Sequence, residues 1–279
     1  MKRITEKLLS EYCHYLVEEE KSAVTIEKYK RDISAFMHWL GEKRLDKSTV
    51  LEYKECLKQT HAPASVNSVI SSLNSFFGYN EWHGLRIKCI KIQKQIFAGE
   101  GKLLTKKEYM RLLATAQKNG DERLGLLMQT ICATGIRVSE LAFITVESLA
   151  KRQALISHKG KNRVVIIPDE LCRVLVKYAR RKNISSGSVF VTKTGKPLDR
   201  SNIWKLMKSL CDSAGVVKEK VFPHNLRHLF ARTFYEVRKD IARLADILGH
   251  TSINTTRIYT METGETHRLQ LQKLGLLRC

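Results

Sequence analysis

Two arginines, three histidines, two lysines and a tyrosine in the second half of this chain are of types that, held together, act on a phosphate. Four stretches carry them: ATGIRVSEL (133–141) with Arg137 and Glu140, HKGKNRVVIIP (158–168) with Lys159 and Lys161, FPHNLRHLFAR (222–232) with His224, Arg227 and His228, and LGHTSINTTRIYT (248–260) with His250 and Tyr259. Arginine offers a planar, permanently charged fork that matches two phosphate oxygens, and histidine adds a further donor as charge builds at phosphorus. A free tyrosine has a pKa of about 10, so it attacks at neutral pH only where its proton is removed or cations favour the phenolate. Each residue alone has a plainer use, as a solvated helix arginine, a hairpin lysine or a packed aromatic with a hydrogen-bonded tip. The combination contains no carboxylate suited to Mg²⁺ and points to metal-free chemistry at phosphate.

Placing these side chains requires particular elements. In 222–232, Pro223 suits the first turn of a helix, and the three-residue spacing of His224 and Arg227 puts them on one face near its start, where free N–H groups also favour an anion. Gly135 marks a helix break before Arg137, and Gly249 a C-cap before His250. The β-branched runs QALISH and RVVIIP predict a hairpin around a Lys-Gly-Lys-Asn turn that carries Lys159 and Lys161. Helices are expected on TKKEYMRLLATAQKN and RLGLLMQTICATGIRVSELAFI, after Asp169 and Asp199 as caps, from His224, over DIARLADIL, and in the tail from Glu262.

Before residue 99 the apolar residues recur at helical spacing in LLSEYCHYL, TIEKYKRDISAFMHWL, STVLEYKECL and ASVNSVISSLNSFFGYN, which predicts four helices. Ser48 or Thr49 is expected to cap the third, and Pro63 to open the fourth. The segment 86–102 then alternates basic and apolar residues and reads as an extended basic connector, with Lys88, Lys91, Lys94 and Lys102 available to a polyanion. A domain boundary near Gly99 gives units of 1–98 and 99–279.

Lys and Arg number 49 against 28 Asp and Glu, a net charge of +21 in 279 residues, which calls for a polyanionic partner with nucleic acid as the leading candidate. No apolar run is long enough to span a membrane, and the N-terminus lacks the apolar stretch of a signal peptide. The 7 cysteines are scattered without a C-x-x-C pair, so neither a disulfide framework nor a zinc site is indicated, and the expected compartment is reducing and cytoplasmic.

In this order and at these separations, the four stretches resemble the tyrosine recombinase (phage integrase) family, including its Xer-like members. The helical segment before Gly99 is similar to that family's core-binding, SAM-like domain. The resemblance implies a mainly α fold with a small β-hairpin (α+β), whose two domains close as a clamp on duplex DNA. It implies a catalytic set of Arg137, Lys159, His224, Arg227, His250 and the nucleophile Tyr259, with Glu140, Lys161 and His228 in support. Many members carry Gly-Lys-Gly-x-Lys-x-Arg where this chain has His-Lys-Gly-Lys-Asn-Arg; the general acid is assigned to Lys159, with Lys161 as the alternative.

The implied activity is site-specific DNA recombination through a 3′-phosphotyrosyl intermediate, in integration, excision or resolution, without ATP, metal or other cofactor. A type IB topoisomerase and a non-catalytic DNA-binding regulator are the rival readings; length and spacings disfavour the first and the filled catalytic positions the second. The implied assembly is a homo-tetramer on two paired DNA sites, with a directionality factor or partner recombinase as a further requirement of some members. The leucine-rich tail after Tyr259 is, in the family, passed to a neighbouring protomer.

Overall fold

The computed structural model describes residues 2–92, 101, 103–158, 161–192, 194–259 and 272–273. The chain separates into two compact units, Met1–Lys94 and Gln95–Cys279. Gly99, where the sequence puts the boundary, lies outside the described residues, as does the tail expected to be helical from Glu262, apart from residues 272 and 273.

The described residues of the first unit form four α-helices, α1 (Glu6–Glu18), α2 (Ala23–Leu40), α3 (Lys47–Thr60) and α4 (Pro63–Tyr79), followed by a 3-10 turn (His83–Leu85). Their apolar faces meet in a core that includes Tyr12, Ile33, Phe36, Ile70, Phe76 and Phe77, each fully buried, and burying one such side chain contributes about 1.5–3 kcal/mol. Pro63 opens α4 at its first turn as expected, but the cap of α3 is Asp46, whose carboxylate accepts from the Thr49 N–H at 3.0 Å. Ser48 and Thr49 instead sit inside the first turn, because an aspartate one residue before the helix reaches its free N–H groups with a full charge.

The second unit contains α5 (Lys106–Lys118), α6 (Glu122–Thr134), a 3-10 turn (Val138–Phe143), α7 (Val146–Ala150), strands β1 (Gln153–His158) and β2 (Lys161–Ile166), then α8 (Asp169–Arg181), α9 (Arg200–Ser209), α10 (Cys211–Ala214), α11 (Pro223–Arg238), α12 (Ile241–Leu248) and α13 (Ile253–Thr256). Helix α6 is the centre, packing on α5, α8, α9 and α11 through Leu127, Met128 and Ile131. The strands pair antiparallel from Gln153 opposite Ile166 to His158 opposite Lys161, burying Ala154, Ile156 and Val165.

Three expectations are corrected here. Lys161 is the first residue of β2 and not part of the turn, since the ladder runs two residues further toward the hairpin tip than the apolar pattern alone suggests. Asp169 is the first residue of α8 and not its cap; Pro168 holds the cap position and the Asp169 carboxylate pairs with Arg152 at 3.1 Å. The residues after Arg137 form a 3-10 turn in place of a continued α-helix. Asp199 does cap α9, accepting from Asn202 N–H at 2.7 Å.

Candidate active site

The site is assembled around the first two turns of α11. Pro223 occupies its first turn, and Asn225, 1% exposed, donates from Nδ2 to the Lys220 carbonyl at 2.7 Å, fixing how the chain enters. Arg227 follows inside the protein at 1% exposure, whereas His224, one turn earlier, is exposed. The Arg227 guanidinium donates through Nη1 to the Gly135 carbonyl, and through Nη2 to the Leu248 carbonyl at 2.8 Å and to His250 Nε2 at 3.0 Å.

Gly135 is the C-cap of α6 and Leu248 the last residue of α12. Two negative helix ends therefore converge on one buried cation, and this compensation makes its burial tolerable. Burial and the neighbouring Arg137 push the Arg227 pKa down to about 10, against the opposing effect of Tyr259, so the group stays charged at neutral pH. Its Nε is buried with no protein partner, a donor left over inside the site.

Arg137 arrives by a different route. Thr134 Oγ1 bonds back to the Thr130 carbonyl at 2.6 Å, α6 stops at Gly135 with φ +63°, and a side chain there would run into the Phe230 ring of α11. Only glycine accepts both the left-handed backbone and this approach. The chain then extends through Arg137 into the 3-10 turn, where Glu140, 2% exposed, accepts from the Arg137 N–H at 2.9 Å and from Arg137 Nη1 at 2.9 Å. Burial raises the Glu140 pKa, but the Arg137 N–H and the Arg163 guanidinium outweigh it, so the carboxylate is held below its ordinary value. Arg137 keeps 38% of its side chain open to solvent, at the mouth of the site.

Gly249, at φ +64°, ends α12 and turns the chain so that the His250 N–H reaches the Ala245 carbonyl at 3.0 Å. This is the glycine C-cap expected from the sequence. His250 Nδ1 lies 2.9 Å from Thr256 Oγ1, and Thr256 is fully buried. Burial, followed by Arg227, Arg137 and Arg163, pushes the His250 pKa down to about 4.

Tyr259, 5% exposed, rests on Ala231, Leu244 and Leu248. Three imidazoles surround its ring: His228 edge-on at 4.5 Å between centroids, His250 nearly parallel at 5.8 Å, and His224 at 6.5 Å. Burial and then His224 and Arg227 push His228 down to about 4, and its Nδ1 is buried without a partner. His224 is lowered too, by desolvation at the site wall and by Arg227, Arg137 and Arg200. Three neutral imidazoles, of which His250 is hydrogen-bonded through both ring nitrogens, thus sit beside two guanidiniums and one phenol.

Arg137, Glu140, His224, Arg227, His228, His250 and Tyr259 are brought together as the sequence predicts. Lys159 lies outside the described residues, as do Lys94 and Lys102; Lys161 is placed on β2 by its backbone, and Lys88 and Lys91 are exposed on the segment after α4. Sequence reasoning missed Arg163, which reaches Glu140 at 2.6 Å, and Thr256 behind His250. Arg163 was legible in the two-residue alternation of β2, which places it on the same side as the buried Val165.

It also missed Asn67 and Asn74 on α4. Asn74 pairs with both the N–H and the carbonyl of Ile87, at 3.0 and 2.8 Å, and Asn67 with those of Ile90, at 2.7 and 2.9 Å. These two amides tie the start of the basic segment along the helix and leave Arg86, Lys88 and Lys91 exposed. No helix among the described residues is long and apolar enough to cross a membrane, and among them no group of three or more His, Cys, Asp or Glu is placed to hold a metal ion.

Residues 102–265 match the phage integrase family, and residues 9–84 match the phage integrase N-terminal SAM-like domain. The chain is 31% identical over 283 residues to the tyrosine recombinase XerD of Listeria monocytogenes, covering 92% of this chain and 94% of that protein. It is 29% identical over 286 residues to the tyrosine recombinase XerA of Pyrococcus furiosus, covering 99% and 96%. A lambda integrase tetramer bound to a Holliday junction shares the fold with a TM-score of 0.72 at 18% identity, over 91% of this chain and 76% of that one. With the family patterns spanning residues 9–84 and 102–265, the second of which holds the arginine, histidine and tyrosine cluster, the chain belongs to the phage integrase family, the tyrosine recombinases that cleave and rejoin DNA in site-specific recombination.

Proposed function

We propose that Tyr259 is the nucleophile and that Arg137, Arg227, His224 and His250 form the pocket for the scissile phosphate. The observation that carries this reading is the position of the Tyr259 ring among three neutral imidazoles and beside the buried Arg227 cation. Tyr259 Oη gives up its proton to one of the neutral imidazoles beside it and bonds to phosphorus as the bond from phosphorus to the 5′-oxygen breaks, giving a 3′-phosphotyrosine and a free 5′-hydroxyl. The arginine forks neutralise the non-bridging oxygens as charge accumulates there. Lys159 supplies the proton to the departing 5′-oxygen, with Lys161 as the alternative donor. A 5′-hydroxyl from another strand reverses the step, and the phosphotyrosine keeps the bond energy of the original diester.

The assembly that fits this chemistry is a homo-tetramer on two paired duplexes; among structures of the same fold, a lambda integrase tetramer is bound to a Holliday junction. The leucines at 269, 271, 274, 276 and 277 make the tail a candidate for hand-over to a neighbouring protomer. The high positive charge suits a protein whose two units both contact phosphates.

The test is a nicked duplex that loses a short strand after cleavage and so traps the covalent complex. Wild-type protein is expected to give an adduct that survives denaturation, and Tyr259→Phe to bind the duplex equally well with no adduct. Adduct formation by Tyr259→Phe would move the nucleophile elsewhere.

A further inference from the structure

Arg163 has no part in the set above, yet from β2 it touches two of the segments that build it, the 3-10 turn and the end of α12. We propose that Arg163 is a positioning residue that locks Arg137 and His250 into one unit, and that Gly249, besides capping α12, leaves the space through which it passes. This rests on the assignment of Arg137 and His250 to the phosphate pocket.

The Arg163 side chain leaves β2 at 13% exposure and divides its guanidinium between two anchors. Nη2 donates to Glu140 Oε2 at 2.6 Å, and Nη1 donates to the Ile247 carbonyl at 2.5 Å. Glu140 in turn holds Arg137 through both oxygens, Oε1 to Nη1 and Oε2 to the backbone N–H. Ile247 lies three residues before His250, and a side chain at the intervening Gly249 would overlap the Arg163 Cδ. One guanidinium therefore fixes the 3-10 turn that carries Arg137 against the helix end that carries His250.

Charge gives a second reason for an arginine here. Glu140 is nearly fully buried, and facing Arg137 alone it would spend its whole charge on that guanidinium, drawing it away from a phosphate. With Arg163 on the other side, the carboxylate is shared between two cations and a net positive charge remains for the substrate. Arg163 Nε is buried and unpaired, so the side chain is held by its two terminal nitrogens. A lysine has no fork with which to span both anchors.

The test uses full-length protein and two nicked duplexes that differ only at the scissile linkage. One carries the ordinary phosphodiester. The other carries a methylphosphonate, in which a methyl group replaces a non-bridging oxygen, so that there is less charge for an arginine to neutralise. Arg163→Ala is expected to bind DNA as the wild type does and to cleave the diester about 10²-fold more slowly, the loss typical of one misplaced transition-state donor. On the methylphosphonate its deficit should shrink to a few-fold, in parallel with that of Arg137→Ala. An Arg163→Ala deficit of equal size on both substrates would mean a general structural loss and would overturn the proposal, as would the absence of any deficit.

Arg137→Ala separates this failure from failure of the site itself. If the methylphosphonate does not relieve Arg137→Ala, the assignment of Arg137 falls; if it relieves Arg137→Ala but not Arg163→Ala, only the positioning role falls. Gly249→Ala provides an independent variant that retains Arg163 but displaces it. It should match the Arg163→Ala deficit, and the double variant should cleave no more slowly than Gly249→Ala alone. Multiplication of the two deficits in the double variant would show that Gly249 acts independently of Arg163 and would refute the pairing.

Discussion

Arg227 Nη2 lies 3.0 Å from His250 Nε2, and this contact fixes the state of both residues. Arginine has no acceptor, so Nε2 must accept and the proton of a neutral His250 sits on Nδ1, directed at Thr256 Oγ1 2.9 Å away. The sequence presents His250 as a donor to phosphate. In the structure its Nε2 instead orders Arg227, so donation to a substrate oxygen requires both that Arg227 Nη2 turn to the phosphate and that His250 gain a proton at Nε2. Substrate phosphate favours both changes, since it attracts the arginine and stabilises an imidazolium.

Replacing Arg227 by alanine is expected to cost about 2.7–4 kcal/mol in the cleavage step, the range for loss of a preorganised transition-state donor. It also leaves the Gly135 and Leu248 carbonyls without their guanidinium partner, at about 1–3 kcal/mol for each group left unsatisfied. Single-turnover cleavage and denaturant midpoints on the same variant separate the two losses. Wild-type cleavage by Arg227→Ala would refute the phosphate pocket.

Gly135→Ala combines a left-handed backbone with a Cβ placed against Phe230. The expected destabilisation is about 2–4 kcal/mol, the sum of a modest αL penalty and local overpacking. Trimming the obstruction in a Gly135→Ala, Phe230→Leu double variant should recover the packing part but not the backbone part. Urea denaturation of the three proteins checks this.

Stability should fall as pH drops from about 6.5 to about 4. His228 and His250 titrate at about 4 in the folded protein, and His224 is lowered in the same direction, whereas an unfolded histidine titrates near 6.5. Across that window the unfolded chain binds protons that the folded site refuses, so unfolding is favoured; above it these groups contribute no slope. Melting temperatures at pH 7 and pH 5 should differ less for His228→Phe than for the wild type. An equal drop in both would show that His228 is not held neutral.

A substrate with a 5′-bridging sulfur leaves as a thiolate and needs little protonation. Lys159→Ala is expected to fail on ordinary DNA and to recover on this substrate, while Lys161→Ala, at the first residue of β2, should cleave both alike. Recovery of Lys161→Ala alone would move the general acid to that residue.

For DNA binding, a contact surface neutralising about ten phosphates gives a slope of log affinity against log salt near ~−9. Deleting 269–279 should leave that slope and single-site affinity nearly unchanged while reducing synapsis and strand exchange. Gel-shift titrations at several salt concentrations, with paired-site complexes scored separately, distinguish the outcomes. Undiminished strand exchange by the deleted protein would exclude hand-over of the tail.

The sequence by itself determined the helical first unit, the hairpin, the helix opening at Pro223, the glycine stop at Gly249 and most of the residues that the candidate site brings together. These follow from local rules: apolar residues at helical or alternating spacing, proline in a first turn, glycine where φ is positive. Tertiary structure decided which partners the reactive groups find. Gly135 and Leu248 are remote from Arg227 in sequence, and nothing local predicts that two helix ends will present their carbonyls to one guanidinium. The same holds for Arg163, whose alternation on β2 shows that it points inward but not that it meets Glu140 and Ile247. A buried charge is tolerated only where the packed elements supply compensating groups from several directions, and those directions are set by the fold as a whole.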